Sequence, residues 1–298
     1  MKNEIPISRK VPITILNFVA LATLAGCASF PGFKPKPVVF TAMGCGPYNV
    51  AAEEALARFI RLDNELATSA FMVHCGDVVT GANKNWPEAQ YNKVAKILHH
   101  GNRIPTFVVP GDNEWNDQED PDLGWEKWTK HFSRFDTNWE PPVKVTRQEK
   151  RQENFAFVLD RVLFIGINKV GGRVHDAAEW DQRLGDNAEW IAANLAEHRS
   201  RVHSATIFAQ ATADGNTDIL VQGLRKSATT FGKPILYLHA DGHKWYVRER
   251  DWAPNITHVQ MDLISSNFPP IQVTATGDAE RPWVFDRRQG DAAWGTAE

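Results

Sequence analysis

The feature that most constrains this chain is a series of short apolar runs, each closed by a glycine turn that delivers a polar side chain. Val38-Val39-Phe40-Thr41-Ala42 leads into Gly44-Cys45-Gly46, and Ala70-Phe71-Met72-Val73-His74 leads into Cys75-Gly76-Asp77. Pro105-Thr106-Phe107-Val108-Val109 leads in the same way into Pro110-Gly111-Asp112. Runs of this length, rich in β-branched and aromatic residues, read as buried strands. Between them, Leu56, Phe59, Ile60 and Leu66, and then Tyr91, Val94, Ile97 and Leu98, fall at helical spacing. Strand, helix, strand, helix, strand is the pattern of a parallel sheet with right-handed crossovers.

Residues 113–152 break the rhythm. They are polar, carry Trp115, Trp125, Trp128 and Trp139 and a Pro141-Pro142 pair, and read as a long excursion over the sheet. Packing of that excursion accounts for the tryptophans better than a roof over a pocket does. Phe155–Leu159 and Arg161–Ile167 read as a hairpin turning at Asp160-Arg161. A helix from about Ala188 to His198 leads into the strand Ala205–Ala209, and a further helical stretch precedes Pro234–Leu238. That strand ends in His239-Ala240-Asp241-Gly242-His243; short strands at Thr257–Leu263, Ile271–Thr276 and Trp283–Phe285 close the chain. The whole reads as one domain of mixed α/β type.

Of the 298 residues, 43% are hydrophobic and 23% charged, which excludes a disordered tail, a collagen-like repeat and a polytopic membrane protein. The formal net charge is -3, so no basic field is present to hold a nucleic acid, and no such partner is expected. The N-terminus is an address. Lys2, Arg9 and Lys10 precede a mostly apolar run, Val11–Leu24, that is interrupted by Pro12 and Asn17 and ends in Leu24-Ala25-Gly26-Cys27. The run is too short to span a bilayer stably but suits a secretory signal. Its end resembles the lipobox of bacterial lipoproteins; the alternative is a plain secretory signal with an incidental cysteine. The resemblance implies a signal peptide at 1–26, lipidation of Cys27, a tether at 27–37 and a folded domain at 38–290. Ala28, rather than Asp, follows the lipidated cysteine, which implies the outer membrane, on its periplasmic side. Loss of 1–26 removes Lys2, Arg9, Lys10 and Glu4, leaving 30 basic and 35 acidic side chains, net -5.

Ligands in open α/β sheets collect beyond the carboxyl ends of the strands. Here those ends deliver Cys45, Asp77, Asp112-Asn113-Glu114, Gln210, and then His239, Asp241 and His243. Any one of them is an ordinary turn residue. Together they are the donor set of a divalent metal site.

With those residues in place, the mature chain resembles the calcineurin-like metallophosphoesterases along nearly its whole length. Gly76-Asp77-Val78-Val79-Thr80 stands at the family's second motif, where Asp77 matches the carboxylate that bridges two metals. Gly111-Asp112-Asn113-Glu114 stands at the third, so Asp112 replaces a ligand Asn and Asn113 replaces the general-acid His. Gln210 falls at the lone-His position, and Ala240-Asp241-Gly242-His243 fills the last motif. Gly44-Cys45-Gly46-Pro47-Tyr48 is similar to a branch that reads Gly-Asp-x-Pro-Tyr, with Cys45 in place of the Asp; Gly111–Trp115 matches that branch's Gly-Asp-Asn-Glu-Trp in full.

The resemblance implies a sandwich of two mixed β-sheets flanked by helices. It also implies one or two divalent ions (zinc, manganese or iron) held by Cys45, Asp77, Asp112, Gln210, Asp241 and His243. Asp77 would bridge, with Asp112, Gln210 and Asp241 on one side and Cys45 and His243 on the other; a thiolate ligand favours zinc. The implied activity is hydrolysis of a phosphate ester, on a phosphorylated small molecule or another ester. Asn113 can only hydrogen-bond a leaving oxygen, and His239 is the candidate to replace the missing acid. The alternative is a catalytically impaired pseudo-phosphoesterase that acts as a lipid-anchored binding protein. His99-His100 reads as a helix end, and Arg147–Arg151 as a solvated loop.

Cys45 and Cys75 are the two thiols left beside Cys27. Both close strands expected to be neighbours, about 4.8 Å apart, and a disulfide needs α-carbons about 4.4–6.8 Å apart. In an oxidising compartment the geometry leans to a bridge, which would exclude Cys45 as a thiolate ligand. The anchor gives the first test. Cys27→Ser is expected to leave the precursor unprocessed or released into the soluble fraction; unchanged, detergent-requiring membrane association of that variant contradicts lipid anchoring.

Overall fold

The computed structural model describes residues 35–213 and 218–289, apart from Met1, and the account below concerns these. The signal segment, Cys27 and most of the 27–37 tether lie outside the described residues. The first three apolar runs form β1 (Val38–Met43), β2 (Met72–Cys75) and β3 (Thr106–Val109), joined by α1 (Val50–Leu66) and α2 (Glu88–His99). Asn49 caps α1 by accepting from Ala52 N, so the helix starts directly after the β1 turn. β1 pairs parallel with β2, and β2 with β3, so all three deliver their carboxyl ends to one edge.

The excursion is more ordered than its polarity predicts. It contains one wide turn at Asp112–Asn116, α3 (Pro121–Phe132), a short turn at Phe135–Asn138 and β4 (Thr146–Arg147). Trp128 is fully buried and stacks on Trp125 with ring centroids 5.1 Å apart. Arg147–Arg151 is not a solvated loop: Arg147 pairs with Asp136, Gln148 Nε2 donates to Asp186 O at 2.8 Å, and Arg151 Nε donates to Asp186 Oδ2 at 2.8 Å. Arg147 thus ties the excursion to itself, and Gln148 and Arg151 fasten it to the next helix, while Glu149 and Lys150 face solvent.

β5 (Phe155–Leu159) and β6 (Val162–Gly166) form the expected hairpin. α4 spans Ala177–His198, eleven residues earlier than the apolar spacing predicts. Asp176 caps it, and its first half carries Arg183, which is buried and bonded to Glu179 one turn back, so polar groups share the buried face there with Leu184. β7 (Ser204–Phe208), α5 (Ile219–Phe231), β8 (Ile235–His239), β9 (Tyr246–Glu249) and β10 (Ile256–Gln260) follow. β11 (Ile271–Ala275) and β12 (Trp283–Asp286) end the described chain.

Two mixed sheets result. The first has the order β12-β11-β1-β2-β3 and the second β4-β5-β6-β7-β8-β10-β9. Their facing surfaces share a core in which Phe40, Phe71, Phe107, Phe157, Phe164 and Phe208 interlock; Phe40 and Phe71 stack at 5.1 Å. α4 and α5 cover the outer face of the second sheet, and α1, α2 and α3 that of the first. This is the sandwich of two mixed sheets flanked by helices. Among the described residues no helix is long and apolar enough to cross a membrane. The packing brings the carboxyl ends of β1, β2 and β3 face to face with those of β7 and β8.

Candidate metal centre

The two Gly-Asp turns are packed so tightly that side chains are excluded between them. A Cβ on Gly111 would lie 2.0 Å from Asp77 N, and Gly76, at φ 74, sits against the backbone of Gly111. Glu114 ties the pair: its Oε1 accepts from Gly111 N at 2.6 Å and from Asp77 N at 3.2 Å. The Tyr91 hydroxyl in turn donates to Glu114 O at 2.5 Å. Glu114 therefore holds the two motifs together and is fully buried; burial pushes its carboxyl up to about 8.

Into this frame the strand ends place two groups of possible ligands. One atom from each of Cys45, Asp77 and His243 lies within 4.8 Å of the others, and the same holds for Asp77, Asp112 and Asp241. Asp77 belongs to both. Cys45 Sγ donates to Asp77 Oδ2 at 3.4 Å, and the Tyr48 hydroxyl donates to the same oxygen at 3.2 Å. Four of these residues hold left-handed backbone: Cys45 (φ 54), Asp77 (φ 61), Asp241 (φ 26) and His243 (φ 61). Such non-glycine conformations cost about 1–3 kcal/mol each and concentrate at functional sites.

The electrostatics are those of crowded acids. Burial, then the charge of Glu114, raises Asp77; burial, then the charge of Asp77, raises Asp112, on which Asp241 and Asp117 also press. Crowded this closely, Asp77 and Asp112 hold protons to higher pH than isolated carboxylates do. Burial and the same acids push the Cys45 thiol well above its usual range. A divalent cation answers each of these strains by replacing protons, and sulfur, imidazole and carboxylate together form a zinc-type donor set. The residues present fit such an ion.

The structure separates the other candidates. Asn113 stands at the site: its backbone N donates to Asp77 Oδ1 at 3.3 Å and its Nδ2 to the Tyr48 hydroxyl at 3.4 Å. His239 does not. Its ring is fully buried, with Nε2 2.9 Å from His258 Nε2 and 3.1 Å from the Tyr246 hydroxyl. Burial and His258 lower its pKa, so it is a neutral packing group rather than the replacement acid. Gln210 reaches the cluster, but through its amide nitrogen, which donates to Asp77, Asp112 and Asp241 and has no lone pair for a metal.

The expected disulfide is absent, and both thiols are free. Met43 pairs with His74, which sets Cys75 beside Gly44 rather than Cys45; the left-handed turn at Cys45 then swings its Sγ to Asp77. Cys75 Sγ instead approaches Leu238 O at 3.9 Å. Two site groups were missed. Tyr48 lay in plain view in the Gly-Cys-Gly-Pro-Tyr motif, whereas Gly171, which holds Gln210, follows a strand end with no motif around it.

No protein-family model and no curated protein sequence matches the chain. Solved structures do share its fold. GAP50, the anchor in the inner membrane complex of Plasmodium, superposes with a TM-score of 0.56 at 11% identity, over 88% of this chain and 86% of that one. A dimetal phosphatase from Danio rerio gives 0.54 at 8% identity, over 84% and 98%. A 5'-nucleotidase from Candida albicans gives 0.52 at 11% identity over 88% of this chain but 53% of its own, so this chain spans about half of it. Identities this low show the fold alone.

The crowded acids make a pH prediction for the metal-free protein. An acid raised by folding stabilises the fold below its unfolded pKa and withdraws that stability as pH climbs through the folded value. Glu114, at about 8, and the raised Asp77–Asp112 pair act in this sense, and so do the buried thiols. The buried histidines, all shifted downward, are neutral in both states above about pH 7.5 and drop out. Chelator-treated protein should therefore melt about 5 °C or more lower at pH 9 than at pH 7.5 in calorimetry. Saturating zinc should remove most of that difference. Identical metal-free melting at both pH values contradicts a protonated cluster.

Proposed function

We propose that this chain is a metal-dependent phosphoester hydrolase whose folded domain, residues 38–290, is tethered by lipidated Cys27 to the outer membrane on its periplasmic side. The observation that carries the enzymatic part is the cluster at the meeting edge of the two sheets, where Cys45, Asp77, Asp112, Asp241 and His243 converge on Asp77. The fold is one that a dimetal phosphatase and a 5'-nucleotidase share, which supports a phosphorylated substrate.

When bound, a zinc-class ion would supply Lewis acidity to a phosphoryl oxygen. The chain's own residues do the rest. Tyr48, kept protonated by burial and by the charge of Asp77, presents a hydroxyl donor, with Asn113 Nδ2 beside it. Both are aimed at the cluster and suit the oxygens of a phosphate monoester. Tyr48 is the one hydroxyl in this group able to return a proton toward a leaving oxygen, a task Asn113 cannot perform. Glu114 holds the Asp77 and Gly111 backbones in register and touches no substrate.

A second reading, binding without hydrolysis, is favoured by the Gln210 amide nitrogen and by Asn113 in place of an acid. The two readings separate on one experiment. Soluble Cys27→Ser protein, loaded with zinc or manganese, is expected to hydrolyse p-nitrophenyl phosphate, and Asp77→Asn should lower that rate on the order of 10²-fold or more. Full activity in Asp77→Asn contradicts this site. A wild-type protein that holds metal and binds phosphate but never hydrolyses the ester supports the second reading.

A further inference from the structure

Gln210 is fully buried at the carboxyl end of β7, and its side chain is held at both ends. Its Oε1 accepts from Gly171 N at 2.7 Å. Its Nε2 lies 3.2 Å from Asp77 Oδ2, 3.0 Å from Asp112 Oδ1 and 3.1 Å from Asp241 Oδ1. The orientation of the amide is fixed by chemistry. Turned over, it would set its two N–H donors against the Gly171 N–H and add a carbonyl oxygen to three acidic groups. The loop that supplies Gly171 is built for this contact. A Cβ on Gly171 would lie 3.1 Å from Asp241 Oδ2, and one on Gly172, at φ 73, would lie 2.6 Å from Asp112 Oδ2. Only a backbone without side chains passes so close to the carboxylates.

Ligand atoms about 2.0–2.1 Å from a tetrahedral ion stand about 3.3 Å from one another. The Gln210 nitrogen, 3.0–3.2 Å from three carboxylate oxygens, therefore occupies the place of a fourth ligand. Its two hydrogens serve these oxygens, the same atoms an ion would need as ligands. An amide nitrogen offers no lone pair, and its two hydrogens oppose a cation while satisfying the acids. The position at Asp77, Asp112 and Asp241 is thus filled by the protein's own donor. At Cys45, Asp77 and His243 the protein's own donor is the Tyr48 hydroxyl, 3.2 Å from Asp77 Oδ2, whose oxygen keeps lone pairs and can turn its one hydrogen away from a cation.

We infer that Gln210 substitutes for the second cation, so that the site takes a single thiophilic divalent ion at Cys45, Asp77 and His243. The inference rests on the metal-dependent reading of the site, and the stoichiometry separates the two. Soluble Cys27→Ser protein is equilibrated with excess zinc, desalted and measured for bound metal by elemental analysis. One zinc per chain is expected. Gln210→Glu is nearly isosteric, keeps an acceptor for Gly171 N–H and turns the donor into a carboxylate; it should take two. Its melting temperature should also rise on zinc addition by more than that of the parent. Gln210→His, which offers one ring lone pair, should likewise take two, and it carries the test if the glutamate variant fails to fold. Two zinc ions in the parent protein, or one in both variants, overturn the inference and leave the metal site standing. No zinc in the parent overturns the metal-dependent reading and this inference with it.

Discussion

Two buried carboxyl groups, Asp77 and Asp112, and the half-buried Asp241 share one small volume at the edge where the two sheets meet, and everything around them serves to make that tolerable. Isolated charges in a low-dielectric interior are costly, so such groups take protons, donors or cations. All three remedies are visible here. Asp77 and Asp112 hold protons more readily than exposed acids, Gln210 spreads its amide hydrogens over three acids, and the donor set with Cys45 and His243 is suited to a cation. Remove any of these, and the repulsion must be relieved by moving backbone that the fold does not let move.

That backbone is held by the sandwich. Parallel pairing of β1, β2 and β3 fixes one row of strand ends, and β6, β7 and β8 fix the other. The phenylalanine core sets how closely the rows approach. Left-handed turns at Cys45, Asp77, Asp241 and His243 then bring their side chains together at the site. The packed core offsets the cost of those turns. The division of labour is clear: apolar strands supply rigidity, and the strained turns use it.

Much of this was legible in the sequence, and the reason is physical. Short apolar runs closed by a glycine turn report both a buried strand and the polar group beyond it, so Asp77 and Asp112, each after a glycine, and Asp241, before Gly242, could be placed at one edge from the sequence alone. The rest depended on direction. Whether Gln210 turns an oxygen or a nitrogen to the acids is decided by Gly171, 39 residues away, and no local pattern encodes it. Cys45 and Cys75 close adjacent strands, but a one-residue offset in register sends their sulfurs apart. His239 sits at a strand end like its neighbours, yet its ring turns to the opposite face, toward His258 and Tyr246. The early half of α4 was hidden because on its buried face Leu184 stands among Arg183, Asp186 and Asn187, too few apolar residues to show a helical period.

The central claim is that Cys45, Asp77 and His243 together hold an ion. Zinc K-edge absorption on the loaded protein measures this without reference to turnover. One sulfur scatterer at about 2.3 Å, with nitrogen and oxygen at about 2.0–2.1 Å, is the result expected, and the sulfur should vanish in Cys45→Ser. A shell of nitrogen and oxygen alone in the parent protein, or a sulfur that persists in that variant, would contradict the account.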